Sequence, residues 1–290
     1  MDLNALCQLA MDAAKCAGRI INAYRNTDFT IRHKDVGNSE ASQVVTEVDH
    51  KAQAAIVEIL KPSCDQYNLA LLAEESTDDG QRQHKPAFWC VDPMDGTLSF
   101  VNNTHGYAVS IALVTQNGKP LIGVVYDPVE DNLYHAIDGL GAYKNGDALH
   151  TQAMNPEQAL TLQVDPGFKQ HPWLETTREG LEQIAQQLGL KGAMIQYKAG
   201  AVMNACYVLE TANSCYFKYP RLDNSGGSLW DYAATACLFN EVGAIASDIS
   251  GKPMELNRKG NTFMNHRGIL YASDPQLAAA IVALNQSLQM

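Results

Sequence analysis

The sequence has no surplus of positive charge. Its 21 lysines and arginines are outnumbered by 32 aspartates and glutamates, for a formal net charge of −11. A surface of that sign has little with which to displace the counterions of a polyanion, so binding to a nucleic-acid polymer or an anionic membrane is not expected. A local anionic substrate stays open if metal ions hold it. No apolar run approaches the roughly 20 residues needed to span a bilayer. The first fifteen residues lack a basic stretch followed by an apolar one, so a secretory signal is not expected either. The seven cysteines (Cys7, Cys16, Cys64, Cys90, Cys206, Cys215, Cys237) form no C-x-x-C pair. An odd, scattered set among apolar neighbours reads as reduced thiols in a cytoplasmic protein, not as a disulfide frame or a zinc site. Glycine (21) and proline (11) are near ordinary usage, which removes collagen-like and low-complexity readings, and no repeat of fixed period is present.

What is there is globular: 290 residues, 46% apolar and 18% charged, enough for one large domain or two small ones. Leu3, Leu6, Ala10, Ala13, Ala17, Ile20, Ile21 and Tyr24 share one face of a first helix. Residues 33–45 are polar and non-periodic and read as a loop. Thr46 is then placed to cap a second helix with Ala52, Ala55, Ile56, Ile59 and Leu60 on one side. Ala70–Ala73 and Ala87–Val91 read as buried strands that end in carboxylates. Residues 105–115 and 121–126 read as a hairpin turned at Asn117-Gly118, and a second strand pair flanks Asn145-Gly146. Further helices are expected near 176–188, near 200–212, from about Trp230, and from Pro275 behind an Asp274 cap, with a flexible loop over Arg221–Ser228. Helices and hairpins mixed in both halves predict α+β layering rather than a regular βαβ array.

The chemistry lies in acidic residues at element ends: Asp49, Glu74 and Glu75, Asp92 and Asp95 within DPMDGT, and Asp231. Singly, each reads as a turn or a cap, and Ser228-x-x-Asp231 resembles a capping box. Together, the Asp92/Asp95 pair needs relief. Two carboxylates about 4 Å apart repel by ~4 kcal/mol at an effective dielectric of about 20, so a proton or a cation must intervene. An all-oxygen set selects a hard ion, Mg²⁺ first, then Mn²⁺ or Ca²⁺. Gly96 permits close backbone approach, and Thr97 opens a helix where anions are favoured. Haloacid-dehalogenase phosphatases also place an aspartate pair before Gly-Thr, but with one residue between the two. Here Pro93 and Met94 intervene, which ranks a phosphoaspartate mechanism low.

Trp89-Cys90-Val91-Asp92-Pro93-Met94-Asp95-Gly96-Thr97, Leu72-Ala73-Glu74-Glu75-Ser76 and Ser228-Leu229-Trp230-Asp231-Tyr232-Ala233-Ala234 resemble the three signatures of the inositol monophosphatase superfamily. Val45-Thr46-Glu47-Val48-Asp49 is similar to its earlier aspartate motif, and order and spacing agree over residues 1 to 275. The stretch Gly118–Pro128 and Tyr219-Pro220-Arg221 look most like the bacterial 3′(2′),5′-bisphosphate nucleotidase branch. The resemblance implies an α-β-α-β-α layered sandwich, also the fold of fructose-1,6-bisphosphatase. It implies one catalytic domain, residues 1–290: a metal-binding α+β half, 1–150, and an α/β half, 151–290, that supplies Asp231 and the substrate loop.

By that resemblance, Glu74, Asp92 and the Met94 carbonyl hold one Mg²⁺, and Asp92, Asp95 and Asp231 hold a second. A third, weaker ion leans on Glu74, and Mn²⁺ is a substitute. Thr97, polarised by Asp49, activates water, the amides of Gly96 and Thr97 cradle the phosphate, and Glu75 stands behind as part of the catalytic set. Lys218 and Arg221 are candidates for a second phosphate. The expected activity is Mg²⁺-dependent, Li⁺-sensitive hydrolysis of a small phosphate monoester, 3′-phosphoadenosine 5′-phosphate before inositol or sugar phosphates. Small phosphorylated substrates are the expected partners, and the family also allows a homodimer. A metal-dependent binding or regulatory protein on the same fold is the non-enzymatic alternative. Some positions depart from both branches. Leu98-Ser99-Phe100 matches neither, Gly200–Asn204 lacks the nucleotidase hydroxyls and lysine, and Lys218 stands near where the inositol branch carries a carboxylate.

Overall fold

Strand β4 (Ala87–Asp95) is buried along its whole length, and its side chains divide between two cores by simple alternation. Phe88 and Cys90 enter one hydrophobic cluster, whereas Ala87, Trp89 and Val91 enter another on the opposite face. A strand buried on both faces reads as an unbroken apolar run and must be covered twice. In the computed structural model, which describes residues 1–27, 30–33, 44–223 and 226–288, that covering produces five layers.

The first layer is α1 (Leu3–Tyr24) and α2 (Glu47–Tyr67), whose apolar faces pack on the seven-stranded sheet β3 (Ala70–Ala73), β4, β5 (Ala108–Thr115), β6 (Pro120–Asp127), β7 (Asn132–Ile137), β8 (Gly141–Lys144) and β9 (Asp147–Ala148). Trp89 is fully buried there, and its indole N–H donates to Ser63 Oγ at 2.9 Å. Only β3–β4 pairs parallel; the remaining pairs are antiparallel. The middle layer is α5 (Ala201–Glu210) and α6 (Leu229–Val242), nearly all apolar and buried because both sides face a sheet. The second sheet follows in the order β11 (Ala193–Tyr197), β10 (Leu160–Val164), β12 (Ser214–Lys218), β14 (Ile269–Ala272), β13 (Ile245–Ser247). Helices α4 (Leu174–Gln187) and α7 (Pro275–Leu288) close its outer face. A short helix, α3 (Thr97–Val101), follows β4, and β1 (Ile31–His33) pairs antiparallel with β2 (Val44–Thr46).

The layered α+β reading and the elements named from periodicity stand, with four adjustments. The polar segment expected to loop over 33–45 carries β1 and β2 at its ends, and its interior, 34–43, lies outside the described residues. In the Arg221–Ser228 loop, residues 224–225 lie outside them too. The second half does hold one βαβαβ run, since β10, β11 and β12 are parallel and joined through α4 and α5. The apolar run from Ala87 does not stop at Val91: β4 continues through Asp95. All seven cysteines are unpaired, five of them buried. No helix among the described residues is long and apolar enough to cross a membrane.

Candidate active site

The extra length of β4 explains the DPMD spacing. Residues three apart on a regular strand point to opposite faces. Here Asp92 pairs with Ser110 and Asp95 with Ala108, so three steps on β4 oppose two on β5. That is a β-bulge, and the inserted residue turns both carboxylates toward one side. Pro93 is tolerated because a bulge frees the ladder donor it lacks. The Met94 amide donates to Asp92 Oδ1 at 2.9 Å and closes the irregular turn of chain. Two aspartates either side of Pro93-Met94 suggest a turn; the pairing shows a bulged strand instead. Gly96 follows at φ 80°, and a Cβ there would lie 2.7 Å from the Gly106 carbonyl oxygen, so only glycine fits.

Each remaining carboxylate arrives on a different element. Glu74 extends the parallel pairing of β3 with β4, its amide donating to the Val91 carbonyl at 3.1 Å, which sets it beside Asp92. The next residue, Glu75, is anchored by its amide to Gln53 Oε1 at 2.8 Å. Asp231 is the third residue of α6 and accepts the Ser228 amide, so the cap reading of Ser228-x-x-Asp231 and the ligand reading hold at once. Ser110, the strand partner of Asp92, donates its hydroxyl to the Trp230 carbonyl at 2.9 Å, which ties the start of α6 to β5 at the level of the aspartates. Oxygens of Asp92, Asp95 and Asp231 then lie within 4.8 Å of one another.

A fourth tie was not visible in the sequence. The Asp95 carboxylate accepts the amides of Ala201 (3.3 Å) and Val202 (2.8 Å), the first turn of α5. Free amides and the positive end of the helix dipole hold the acid in place. A Cβ on Gly200 would collide with that carboxylate, so Gly200 was the available signal.

Asp49 sits behind this group at the start of α2. Its Oδ2 accepts the Thr46 amide (2.8 Å) and hydroxyl (2.6 Å), and its Oδ1 lies 3.0 Å from the Thr97 hydroxyl. That hydroxyl is also 3.1 Å from the Met94 carbonyl oxygen.

Burial and mutual repulsion raise the four aspartates, Asp49, Asp92, Asp95 and Asp231. Asp92 is held well above the usual carboxylate range by burial first, then by the charges of Glu74, Asp231 and Asp95. Asp95 is raised likewise by burial and by Asp231, against the helix amides that lower it. Burial and Glu74 push Asp231 up to about 6. Asp49 is raised by burial, partly offset by Thr46. A buried, all-oxygen cluster under this strain fits a hard divalent cation, which would neutralise it.

The two cations expected to read a second phosphate are both engaged by carboxylates. Lys218, the last residue of β12, lies 3.0 Å from Asp165 Oδ2. Arg221 grips Asp223 through two N–H groups, each at 2.9 Å. Arg221 lines a cavity of about 300 Å³ with Leu222, Arg258, Asn265 and His266. Tyr219 is a core residue, its hydroxyl 2.9 Å from that of Thr177. His105 and His266 face Glu130 and Glu255.

A bulged strand, a parallel neighbour and a helix start that converge on one buried acidic hollow define a metal-dependent phosphomonoesterase. The chain belongs to the inositol monophosphatase family, whose profile matches residues 2–290. It is 27% identical to inositol-1-monophosphatase of Bacillus subtilis (strain 168) over 265 residues, 91% of this chain and 90% of that one. It is 29% identical to the Nus factor SuhB of Vibrio cholerae over 281 residues, 97% of this chain and 95% of that one. The fold matches the inositol monophosphatase from Anabaena (Nostoc) sp. PCC 7120 with a TM-score of 0.68 at 21% identity, covering 100% of this chain and 97% of that one. The expected nearness to bisphosphate nucleotidases is not what these relatives carry; they bear inositol monophosphatase and SuhB names.

Proposed function

We propose that this protein hydrolyses the phosphate monoester of a polyhydroxylated alcohol, of the inositol monophosphate type, by direct attack of water with Mg²⁺ bound. The observation that carries the reading is the meeting of buried Asp92 and Asp95 with half-buried Asp231 next to the Asp49–Thr97 hydrogen bond. Glu74, Asp92 and the Met94 carbonyl would hold one ion, and Asp92, Asp95 and Asp231 another. When bound, the ions supply charge neutralisation for the phosphoryl oxygens and an acidified water. Mn²⁺ is the natural substitute for an all-oxygen site.

The chain's own part is positional and protonic. Asp49 keeps Oδ1 free for Thr97 because Thr46 occupies Oδ2. With its proton on Asp49, the Thr97 oxygen turns its lone pairs toward the incoming water and receives that water's proton. The water oxygen bonds to phosphorus, the ester oxygen departs, and the alcohol and inorganic phosphate leave without a covalent enzyme intermediate. The amides of Gly96 and Thr97 orient the phosphate, and Glu75 buttresses Glu74 from the adjacent position.

Two considerations favour a polyol over a bisphosphate nucleotide. Of the relatives described above, the two named for a substrate are named for inositol monophosphate. The two basic residues offered for a second phosphate already have carboxylate partners. Phosphate release from myo-inositol 1-phosphate and from 3′-phosphoadenosine 5′-phosphate, each with Mg²⁺ and with excess chelator, tests the reading. The expected result is Mg²⁺-dependent release with a higher kcat/KM for the inositol ester. Turnover that survives chelation overturns the mechanism. Metal-dependent binding of either compound without turnover favours the binding-protein alternative.

A further inference from the structure

Arg82 is fully buried, an uncommon place for a guanidinium, whose charge and N–H donors must then be met by protein atoms. It sits in the turn Gln81–Gln83, on the chain that runs on from Glu74. Its Nε donates to Asp78 Oδ2 at 2.8 Å. Its Nη1 donates to Asn257 Oδ1 at 2.5 Å and to the Arg258 carbonyl at 2.8 Å. Asn257 returns the contact: its Nδ2 donates to the Arg82 carbonyl at 3.1 Å and to that of Gln116 at 2.7 Å. Gln83 adds a bond from Nε2 to Asn257 Oδ1 at 2.8 Å. From this clamp, residues 257–265 run as a strap to the helix that carries Asp231. The Leu229 amide donates to the Thr262 carbonyl and the Met264 amide to the Gly227 carbonyl, both at 2.9 Å, and Phe263 bridges Ser228 antiparallel. Ser228 caps α6, and its amide donates to Asp231. The buried side chains of Leu256 and Met264 anchor the strap in the core around α5 and α6.

We infer that Arg82 is a positioning residue for the metal site: by clamping residues 257–265 it fixes the start of α6, and with it Asp231, relative to the segment that carries Glu74. This rests on the Mg²⁺-site reading above and deepens it. Glu74 and Asp231 repel, since the charge of Glu74 helps to raise Asp231. The acids therefore do nothing by themselves to hold their carriers together, and the surrounding scaffold must. A guanidinium suits that task, because its planar fork fixes direction as well as distance, which a lysine ammonium does not. The charges felt on β4 agree with this placement. Burial pushes the Cys90 thiol up, Arg82 lowers it and Asp231 raises it further, so both charges lie near the strand just before Asp92. Groups that hold metal ligands from behind set the affinity for the ion, because less ordering accompanies binding to a site already in place. An arginine that served the fold alone would change stability and leave that affinity as it was.

Calorimetric titration of the full chain with Mg²⁺ at pH 8 separates the two roles. The variants are Arg82→Met, Asn257→Ala, their combination, and Leu181→Ala, which opens a cavity on the buried face of α4. Arg82→Met is expected to raise the Kd for Mg²⁺ about tenfold or more. Asn257→Ala, on the half-buried side of the clamp, raises it less and keeps the test open should Arg82→Met not fold. The double variant is expected to bind no more weakly than Arg82→Met, because both changes open one clamp. Leu181→Ala lowers Tm yet leaves the Kd within about twofold of wild type. Hydrogen exchange in chelator gives a second readout. Peptides over residues 226–232 are expected to exchange faster in Arg82→Met than in wild type, and at the wild-type rate in Leu181→Ala. Wild-type affinity in both clamp variants overturns the inference, as does equal weakening in Leu181→Ala. A wild-type chain that binds no Mg²⁺ removes the metal reading underneath, and the inference with it.

Discussion

Around Asp92 and Asp95, the wall of the crevice built by the first sheet is spelled out in contiguous motifs and locked by backbone. The bulge on β4, the amide of Met94, the start of α5 and the hydroxyl of Ser110 each fix a carboxylate or its carrier. Across from it, the wall built by the second sheet carries side chains at strand ends that pair with side chains, Lys218 with Asp165 and Arg221 with Asp223. Backbone anchoring suits a site whose geometry must not change with substrate. Side-chain pairing suits a site whose partner does. The chemistry is therefore expected to reside on the first wall and the choice of alcohol on the second.

Replacing Asp92 by Asn sharpens that division most. Its carboxylate faces Glu74, Asp95 and Asp231, and loss of one charge from a shared cation site is expected to lower kcat by a factor on the order of 10³ for every ester tested. The same change relieves repulsion in the metal-free protein, so Tm in chelator should match or exceed that of the wild type. A selective loss, sparing one ester, would assign Asp92 to specificity and break the comparison.

The uneven legibility of the two walls follows from the same construction. Asp92, Asp95 and Gly96 are near neighbours in sequence, so their motif survives without knowledge of pairing. What the spacing could not reveal was parity: three residues suggest a turn, and only the register of β4 against β5 exposes the bulge. Asp165 went unnoticed because nothing local marks it. Its partner lies on another strand, and their proximity exists only once β10 and β12 are aligned. Arg221 drew attention through its charge, but Asp223, two residues on, takes up that charge. The hold of α5 on Asp95 likewise needed three dimensions, with Gly200 its faint trace.

Metal removal gives a smaller effect whose sign separates the walls. Asp49, Asp92, Asp95 and Asp231 all have raised pKa values, about 6 for Asp231, so the folded state holds protons that the unfolded chain releases near pH 4. Stability from these groups is fully present below that pH and is lost as pH climbs through the raised values. A divalent cation replaces the lost protons. Mg²⁺ at about a hundredfold above its Kd is expected to raise Tm by roughly 5 °C at pH 8 and by much less at pH 5, where protons occupy the same oxygens. Differential scanning at the two pH values reads this directly. Shifts of equal size would place the ion away from the first wall.

Arg221→Ala carries the smallest expected change and the sharpest consequence for the second wall. The Arg221–Asp223 pair is open to water, with side chains 44% and 33% exposed, and pairs of that kind contribute about 0–1 kcal/mol. To bind a substrate phosphate, the guanidinium would have to surrender two charge-assisted hydrogen bonds to a carboxylate and form equivalent ones elsewhere. Little is gained by that exchange, so kcat/KM for both myo-inositol 1-phosphate and 3′-phosphoadenosine 5′-phosphate should stay within about twofold of wild type. A loss of tenfold or more confined to the nucleotide would mean that Asp223 releases the arginine when a second phosphate arrives. The cavity that Arg221 shares with Arg258 and His266 would then belong to the substrate, and the second wall would read anions.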